Sequence, residues 1–501
     1  MAKTSISGFM LASISICTVL GLILFVLRLA DVISFAEPLQ ISTSGFEEES
    51  LIAIWNLNND LPLYVSRFEF PYRWAIYNWL FYNSYASFVS IAQASFGLSD
   101  AWLPTITRIL TLLGVLTISC SSFLVMRAIS GPFGRLELWL ALGFAIYLGT
   151  GPLIGFWAMT TRPDIWALAF EILTIYSFIL AYKKKQILWY MLPILMGYAA
   201  WSFKQSEIIG IVVIILFLLT HKKWRDVAFI IAAFSSLCVF TLIYGGATYI
   251  QSVTLYEYGA ELSAKHALNI FLSVVPKISP SLTIIVLSFV VILSSRQRNT
   301  FISDLLKSDN VKIIVFGVLT SIGIILLTSS QSGSAENYYF TLSFFLSLLA
   351  VILFRPLFKI SSTFRIGVGV GWAVQSIAIL LVIFGFKGIV SVAKNHDEAI
   401  AYQSCIGTPE QPIYVGHSYY ALPWMTPNAE HTVLAFGYFA DRVRGVEYQY
   451  GGIGGLIDDG FFEILLLPSG YAGKYDGSTL SQYRKTGATC GNFIVYKKLP
   501  L

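Results

Sequence analysis

Residues 6–27 read ISGFMLASISICTVLGLILFVL, with no charged side chain anywhere along the run. A bilayer core ~30 Å thick is crossed by ~20 apolar residues in a helix, so this stretch meets the length that a membrane span requires. Met1-Ala2-Lys3 precedes it and no small-residue cleavage site follows, so it reads as a retained first transmembrane helix. Further runs of the same kind follow at 103–126, 137–157, 163–182, 187–203, 206–220, 227–249, 278–294, 311–328, 338–354 and 364–386. The pattern predicts an all-α polytopic membrane protein of about 11 transmembrane helices.

Composition points the same way. Of 501 residues 56% are hydrophobic and 12% charged, where soluble domains carry about 25% charged residues. That excludes an ordinary soluble domain, a disordered chain and a disulfide scaffold. The net charge of +5 comes from 33 basic and 28 acidic residues, and in a membrane protein such an excess reports orientation rather than nucleic-acid binding. With the amino terminus in the cytoplasm, the loops on that side carry sixteen Lys and Arg, among them Lys183, Lys184, Lys185, Lys222, Lys223 and Arg225. The opposite loops hold Arg67, Arg73, Arg162, Lys204 and Lys265, with Arg28, Arg108 and Lys277 near or inside spans. The positive-inside rule then puts the amino terminus inside and, after an odd number of spans, the carboxy-terminal segment outside.

The expected organisation is a transmembrane domain over 1–386, with a large acidic first external loop at 30–102, and a small α/β extracytoplasmic domain over 387–501. Loops longer than ~15 residues are usually functional, which singles out the first one. In the tail, strand-like pieces at 412–415, 432–436, 462–467 and 492–496 are separated by Gly, Pro and Asp. Gly451-Gly452-Ile453-Gly454-Gly455 reads there as a flexible loop. Cys17, Cys120 and Cys238 lie in apolar spans, whereas Cys405 and Cys490 share the external segment, where a disulfide between them would persist.

Charges at membrane depth are costly and mark function by default. In the orientation above Glu47-Glu48-Glu49, Arg162-Pro163-Asp164, Lys204-Gln205 and Glu336-Asn337 all reach the external edge, so four separate segments deliver polar groups to one side. Each admits a plainer reading as well. The glutamates open a segment with apolar residues at 51, 52, 54 and 55, as in an interfacial helix, and acids in a first turn stabilise a helix by about 0.3–1 kcal/mol each. Only one of the three is expected to point inward. Arg162 and Asp164 can be a local ion pair at a helix start, with Pro163 where its missing amide costs nothing. Lys204 can snorkel, although a lysine on the external side runs against the charge bias and suits a phosphate. The five histidines lack ligand spacing, and neither a zinc motif nor a phosphate-binding glycine loop is present.

The segments GFEEESLIAIWNLNNDLPLY (45–64), YNWLFY (77–82), TTRPDIWALAFE (160–171), SFKQSEIIG (202–210) and GSAENYYF (333–340) occur in an order that resembles the polytopic GT-C glycosyltransferases. Within them the chain is most similar to the bacterial group related to protein mannosyltransferases, aminoarabinose transferases and rhizobial lipopolysaccharide glycosyltransferases. The resemblance covers residues 8–355. It implies transfer of a sugar from a polyprenyl-phosphate carrier on the extracytoplasmic face, with inversion, to a glycolipid, polysaccharide or protein of the envelope. It further implies a bacterial inner membrane as the location.

Carried over by motif, Glu47 is the best match to the catalytic carboxylate and Glu48 the second. Arg162 and Lys204 would hold the carrier's phosphate, and Asp164, Gln205, Glu336, Asn337, Tyr64 and Tyr77 would bind or position substrate. No organic cofactor is implied, and a divalent ion, Mg or Mn, stays open. Asp60-Leu61-Pro62-Leu63-Tyr64 replaces the family's Gly-x-x-Leu-Tyr element, and Tyr77-Asn78-Trp79-Leu80 lacks its proline. The rival classes are a transporter or flippase for a lipid-linked sugar and a non-catalytic envelope scaffold. Transporters place their charges near the midplane on broken helices of internal repeats, and no repeat is visible here.

Overall fold

The computed structural model describes residues 2–33, 45–73, 75–254, 262–294, 307–331, 334–358, 361–385, 404–405, 411–416, 422–425, 428–430, 441–442, 444–469, 478–491 and 493–500, with single positions between them. Each apolar run becomes helical: α1 Ala2–Ile33, α4 Leu103–Ser130, α5 Arg135–Thr150, α6 Asp164–Lys184, α7 Met191–Phe203, α8 Ile209–Thr220, α9 Trp224–Thr254, α11 Ser279–Ser294, α12 Asp309–Thr328, α13 Phe340–Leu357 and α14 Ser362–Phe384. A helix at Ala264–Val274 (α10) runs into α11. Among the described residues 8 helices are long and apolar enough to cross a membrane, while Arg135–Thr150, Ile187–Phe203 and Ile209–Thr220 are shorter. The bundle closes by α1 lying against α14 and α5, α6 against α4 and α7, and α12 against α8 and α13. Close approach rests on small residues: a Cβ on Gly197 of α7 would stand 2.5 Å from the Ile211 side chain of α8.

The first loop is built rather than merely long. It holds α2 (Gly45–Asn58) and α3 (Trp79–Phe96); Asn78 caps α3 by accepting the Trp79 amide, and Gly97 ends it in the left-handed conformation. Asp100 ties the pair, accepting from Trp55 Nε1 at 2.8 Å and Gln93 Nε2 at 3.0 Å. The apolar face of α2 is covered by protein. Leu51, Ile52 and Ile54 pack with Phe81, Tyr85 and Val89, and with Leu422 and Met425 from the tail.

The tail forms a five-stranded sheet in the order β2-β1-β3-β5-β4, from β1 Ile413–Val415, β2 Ala429–Glu430, β3 Ile464–Pro468, β4 Tyr483–Cys490 and β5 Phe493–Lys498. β1 is parallel to β2 and β3, and β5 antiparallel to β3 and β4. The strand expected at 432–436 lies outside the described residues. β4 has no apolar alternation along its exposed middle, which is the pattern by which a strand shows in sequence. The glycine run is not a loop: Gly452–Asp458 is a short helix (α15), entered through positive φ at Gly451 and Gly452, and the Ile453 amide donates to Tyr438 Oη at 2.9 Å. A Cys405–Cys490 disulfide joins the ends of this region.

The sheet region also grips the first loop. Tyr72 belongs to its core, the Gln449 amide donates to the Phe68 carbonyl at 2.8 Å, and Arg67 pairs with Asp441 at 3.4 Å.

Candidate functional site

Three segment ends meet where α6 begins. Pro163 occupies the N-cap, so Asp164 is the first residue of α6, where a carboxylate complements the dipole. Lys204 is the C-cap of α7 in an extended conformation, and a 3-10 turn at Glu336–Tyr339 leads into α13 and presents Asn337. Asp164 is the hub. Its Oδ1 accepts from Lys204 Nζ at 2.9 Å and Asn337 Nδ2 at 2.6 Å, and its Oδ2 lies 3.6 Å from Arg162 Nε. All four side chains are buried.

Lys204 does not snorkel. It is 6% exposed, pairs also with Glu207 at 3.5 Å, and lies over the Tyr338 ring at 4.7 Å. Burial alone would lower its affinity for the proton, but the Asp164 and Glu207 carboxylates outweigh that and raise Lys204 above the ordinary lysine range. Arg162 is held more loosely. Its guanidinium lies over Phe46 at 4.9 Å and Trp157 at 5.9 Å, with Nη2 3.5 Å from Tyr77 Oη. Neither Arg162 Nε nor Asp164 Oδ2 has a hydrogen-bond partner among the described residues.

Glu47, Glu48 and Glu49 are all buried, at 0%, 4% and 1% exposure, against the expectation that only one would turn inward. Glu47 accepts a two-point pair from Arg108 of α4, Nε to Oε1 and Nη2 to Oε2 at 2.9 Å each, and the Thr161 amide at 2.7 Å. Thr161 precedes Arg162, so Glu47 is tied directly to the strand of chain that carries the cation. Glu49 accepts from the Ile76 amide at 3.2 Å, from Tyr82 Oη and from Ser50. Burial nevertheless pushes its carboxyl up to about 8.

Several expected site residues stand apart from this cluster. Tyr64 donates to the Tyr77 carbonyl at 3.0 Å, and Gln205 Nε2 to the carbonyls of Ile76 at 3.0 Å and Val253 at 3.4 Å; both brace the loop. Glu336 turns away and pairs with Lys277 and Ser273, so depth at the membrane edge did not translate into convergence. Glu336 and Lys277 line a cavity of about 830 Å³ with Arg28, His266 and Trp157, and Trp157 is the wall shared with Arg162. Arg108, Glu207 and Tyr338 join the region beyond the residues expected from the sequence. Arg108 carried the usable signal, a charge inside an apolar run.

As a metal site the cluster does not fit. Asp164 Oδ1 is occupied by two donors and Oδ2 faces a guanidinium, and among the described residues no group of three or more His, Cys, Asp or Glu is placed to hold an ion.

No protein-family model matches the sequence, and no curated protein matches it by sequence. Solved structures do match by shape. ArnT from Cupriavidus metallidurans bound to undecaprenyl phosphate superposes at a TM-score of 0.57, with 13% identity, over 95% of this chain and 97% of that one. The apo state of the same protein gives 0.57 and 12% over the same shares. An Archaeoglobus fulgidus oligosaccharyltransferase tethered with an acceptor peptide superposes at 0.48, with 10% identity, over 96% of this chain and 74% of that one.

Proposed function

We propose, with the GT-C fold shared with ArnT as the premise, that the chain is a membrane glycosyltransferase. It moves a hexosyl or pentosyl group from a polyprenyl-phosphate carrier to a glycolipid, polysaccharide or protein of the cell envelope. In this reading the amino terminus is cytoplasmic, residues 1–386 form the transferase domain in a bacterial inner membrane, and residues 387–501 cover its first loop from the extracytoplasmic side.

The observation that supports it best is the buried Arg162–Asp164–Lys204–Asn337 cluster. Hydrogen-bonding capacity remains at Arg162 Nε and Asp164 Oδ2, and a roomy cavity lies behind Trp157. Asp164 and Glu207 both hold Lys204, whereas Arg162 meets Asp164 only at 3.6 Å and keeps charge to offer an incoming anion; charges fixed in this way stabilise a leaving phosphate without reorganising. Arg162 is the first contact for the phosphate because its planar fork is the less satisfied of the two, and Lys204 supplies the point charge behind it. Asp164 and Asn337 orient both.

In the transfer the acceptor hydroxyl oxygen attacks the anomeric carbon from the face opposite the phosphate. The anomeric carbon–oxygen bond to phosphate breaks, and its electron pair leaves with the polyprenyl phosphate. The hydroxyl proton goes to a first-loop carboxylate, Glu47 with Glu48 as the second candidate. Tyr77 lies beside Arg162 and serves to position the sugar.

The experiment is transfer of label from synthetic polyprenyl-phosphate sugars to an envelope fraction by the purified full-length chain. Arg162→Ala and Lys204→Ala are compared with the natural sequence at equal folded amounts. Transfer lost in both variants supports the reading. Absence of transfer with every donor, together with donor movement across proteoliposomes, replaces it with the flippase.

A further inference from the structure

At the other end of the bundle a second cavity, about 490 Å³, is lined by Lys185, Lys222, Lys223 and Arg225 against the single acid Asp226, with Tyr182, Tyr190 and Trp224 as its aromatic walls. It lies one helix length from the candidate site: α6 starts at Asp164 and reaches this cavity 21 residues on, roughly 30 Å at about 1.5 Å per residue. We propose that this cavity binds the phosphate headgroup of an anionic phospholipid. The inference stands independently of the sugar-transfer reading.

Position comes first. The cavity lies where two candidate spans end, Asp164–Lys184 and Trp224–Val253, which is headgroup depth for a protein that spans along these helices. Large apolar side chains surround it: Trp224 is 64% exposed, Leu188 74% and Trp189 45%. Exposed Trp and Leu beside a basic pocket suit the boundary between headgroups and acyl chains.

Charge comes second. Among the described residues Lys185 and Lys222 make no ion pair, and Lys223 is turned onto the Tyr182 ring at 4.2 Å. Arg225 meets Asp226 only at 3.8 Å. The nearby acid on α12, Asp309, is already taken by His221 at 2.9 Å and Lys312 at 3.1 Å, so it does not neutralise the pocket.

Backbone comes third. Lys185 and Lys222 both adopt φ near 55°, a conformation that glycine takes freely and other residues enter at about 1–3 kcal/mol. Two lysines accept this cost at the two turns that frame the cavity. A local energetic preference would have chosen glycine at both.

The test is native mass spectrometry of the full-length protein in detergent, titrated with phosphatidylglycerol and separately with phosphatidylcholine. The natural chain is compared with Lys185→Gly/Lys222→Gly and with Lys183→Ala/Lys307→Ala, which removes equal charge from residues that do not line the cavity. Glycine suits both turns, so the first variant keeps or raises its thermal stability. Its phosphatidylglycerol affinity falls about fivefold for each lysine, roughly 25-fold in all, while the second variant binds as the natural chain does. Equal binding of the two lipids overturns the proposal. So does an unchanged affinity in the glycine variant, an equal loss in both variants, or displacement of the lipid by inorganic phosphate at matched concentration.

Discussion

Arg108 and Glu47 form a two-point ion pair in which Nε meets Oε1 and Nη2 meets Oε2, both at 2.9 Å, with both side chains buried. The pair fastens the first loop to α4, and because the Thr161 amide joins the same carboxylate it also sets the position of Arg162. A carboxylate held this way can orient an acceptor, but it is also structural, and the two roles need separate tests.

Breaking a buried pair leaves an uncompensated charge, at a cost of about 3–5 kcal/mol, whereas replacing both partners by apolar groups is far milder. Arg108→Met should therefore lower the unfolding temperature in detergent more than Glu47→Leu/Arg108→Met together. Additive losses in the double variant would show that the pair contributes no coupling.

Asp164→Asn keeps the shape of the hub and removes the charge that orders Lys204 and Arg162. Transfer should fall about 100-fold or more in kcat, as expected for loss of one preorganised electrostatic contact. A variant that folds and retains kcat within about threefold would remove Asp164 from the mechanism.

Arg162→Lys preserves charge and loses the planar fork. The expected result is a rise in KM for the carrier of about tenfold with a smaller change in kcat, read from initial rates over donor concentration. The reverse pattern would place Arg162 on the transition state rather than on the bound phosphate.

Glu49 predicts a pH effect on stability. Its carboxyl titrates at about 8 in the fold against an ordinary 4.5, so between these values the folded state holds a proton that the unfolded chain has lost. Stability is thus fully present below pH 4.5 and declines as pH rises through 8, by at most about 1.4 kcal/mol per unit. Glu49→Gln should flatten that decline in melting curves taken from pH 5 to 9. An unaltered slope would assign the effect to other groups.

Much of the architecture was readable because a membrane span is a local property: about 20 consecutive apolar residues declare it without knowledge of any neighbour. The site was readable in part. Arg162, Asp164, Lys204 and Asn337 do meet, and each stands at the end of an apolar run. Glu336 stands at the same kind of end and points elsewhere, to Lys277. Depth along the membrane normal follows from hydropathy, but direction around the helix axis follows from packing.

The apolar runs, the charge bias of the loops and the segments at which polar residues surface were determined by sequence alone. These depend only on near neighbours along the chain and on the low polarity of the bilayer. Tertiary structure decided the rest: that Glu47, Glu48 and Glu49 are all internal, that Arg108 is the partner Glu47 meets, and that the carboxy-terminal sheet seats on Tyr72. Those pairings join positions 61 residues apart for Arg108 and Glu47 and 377 for Tyr72 and Gln449. Buried charges find partners because desolvation forbids them to stand alone, and which partner is reached depends on how the helices close around them.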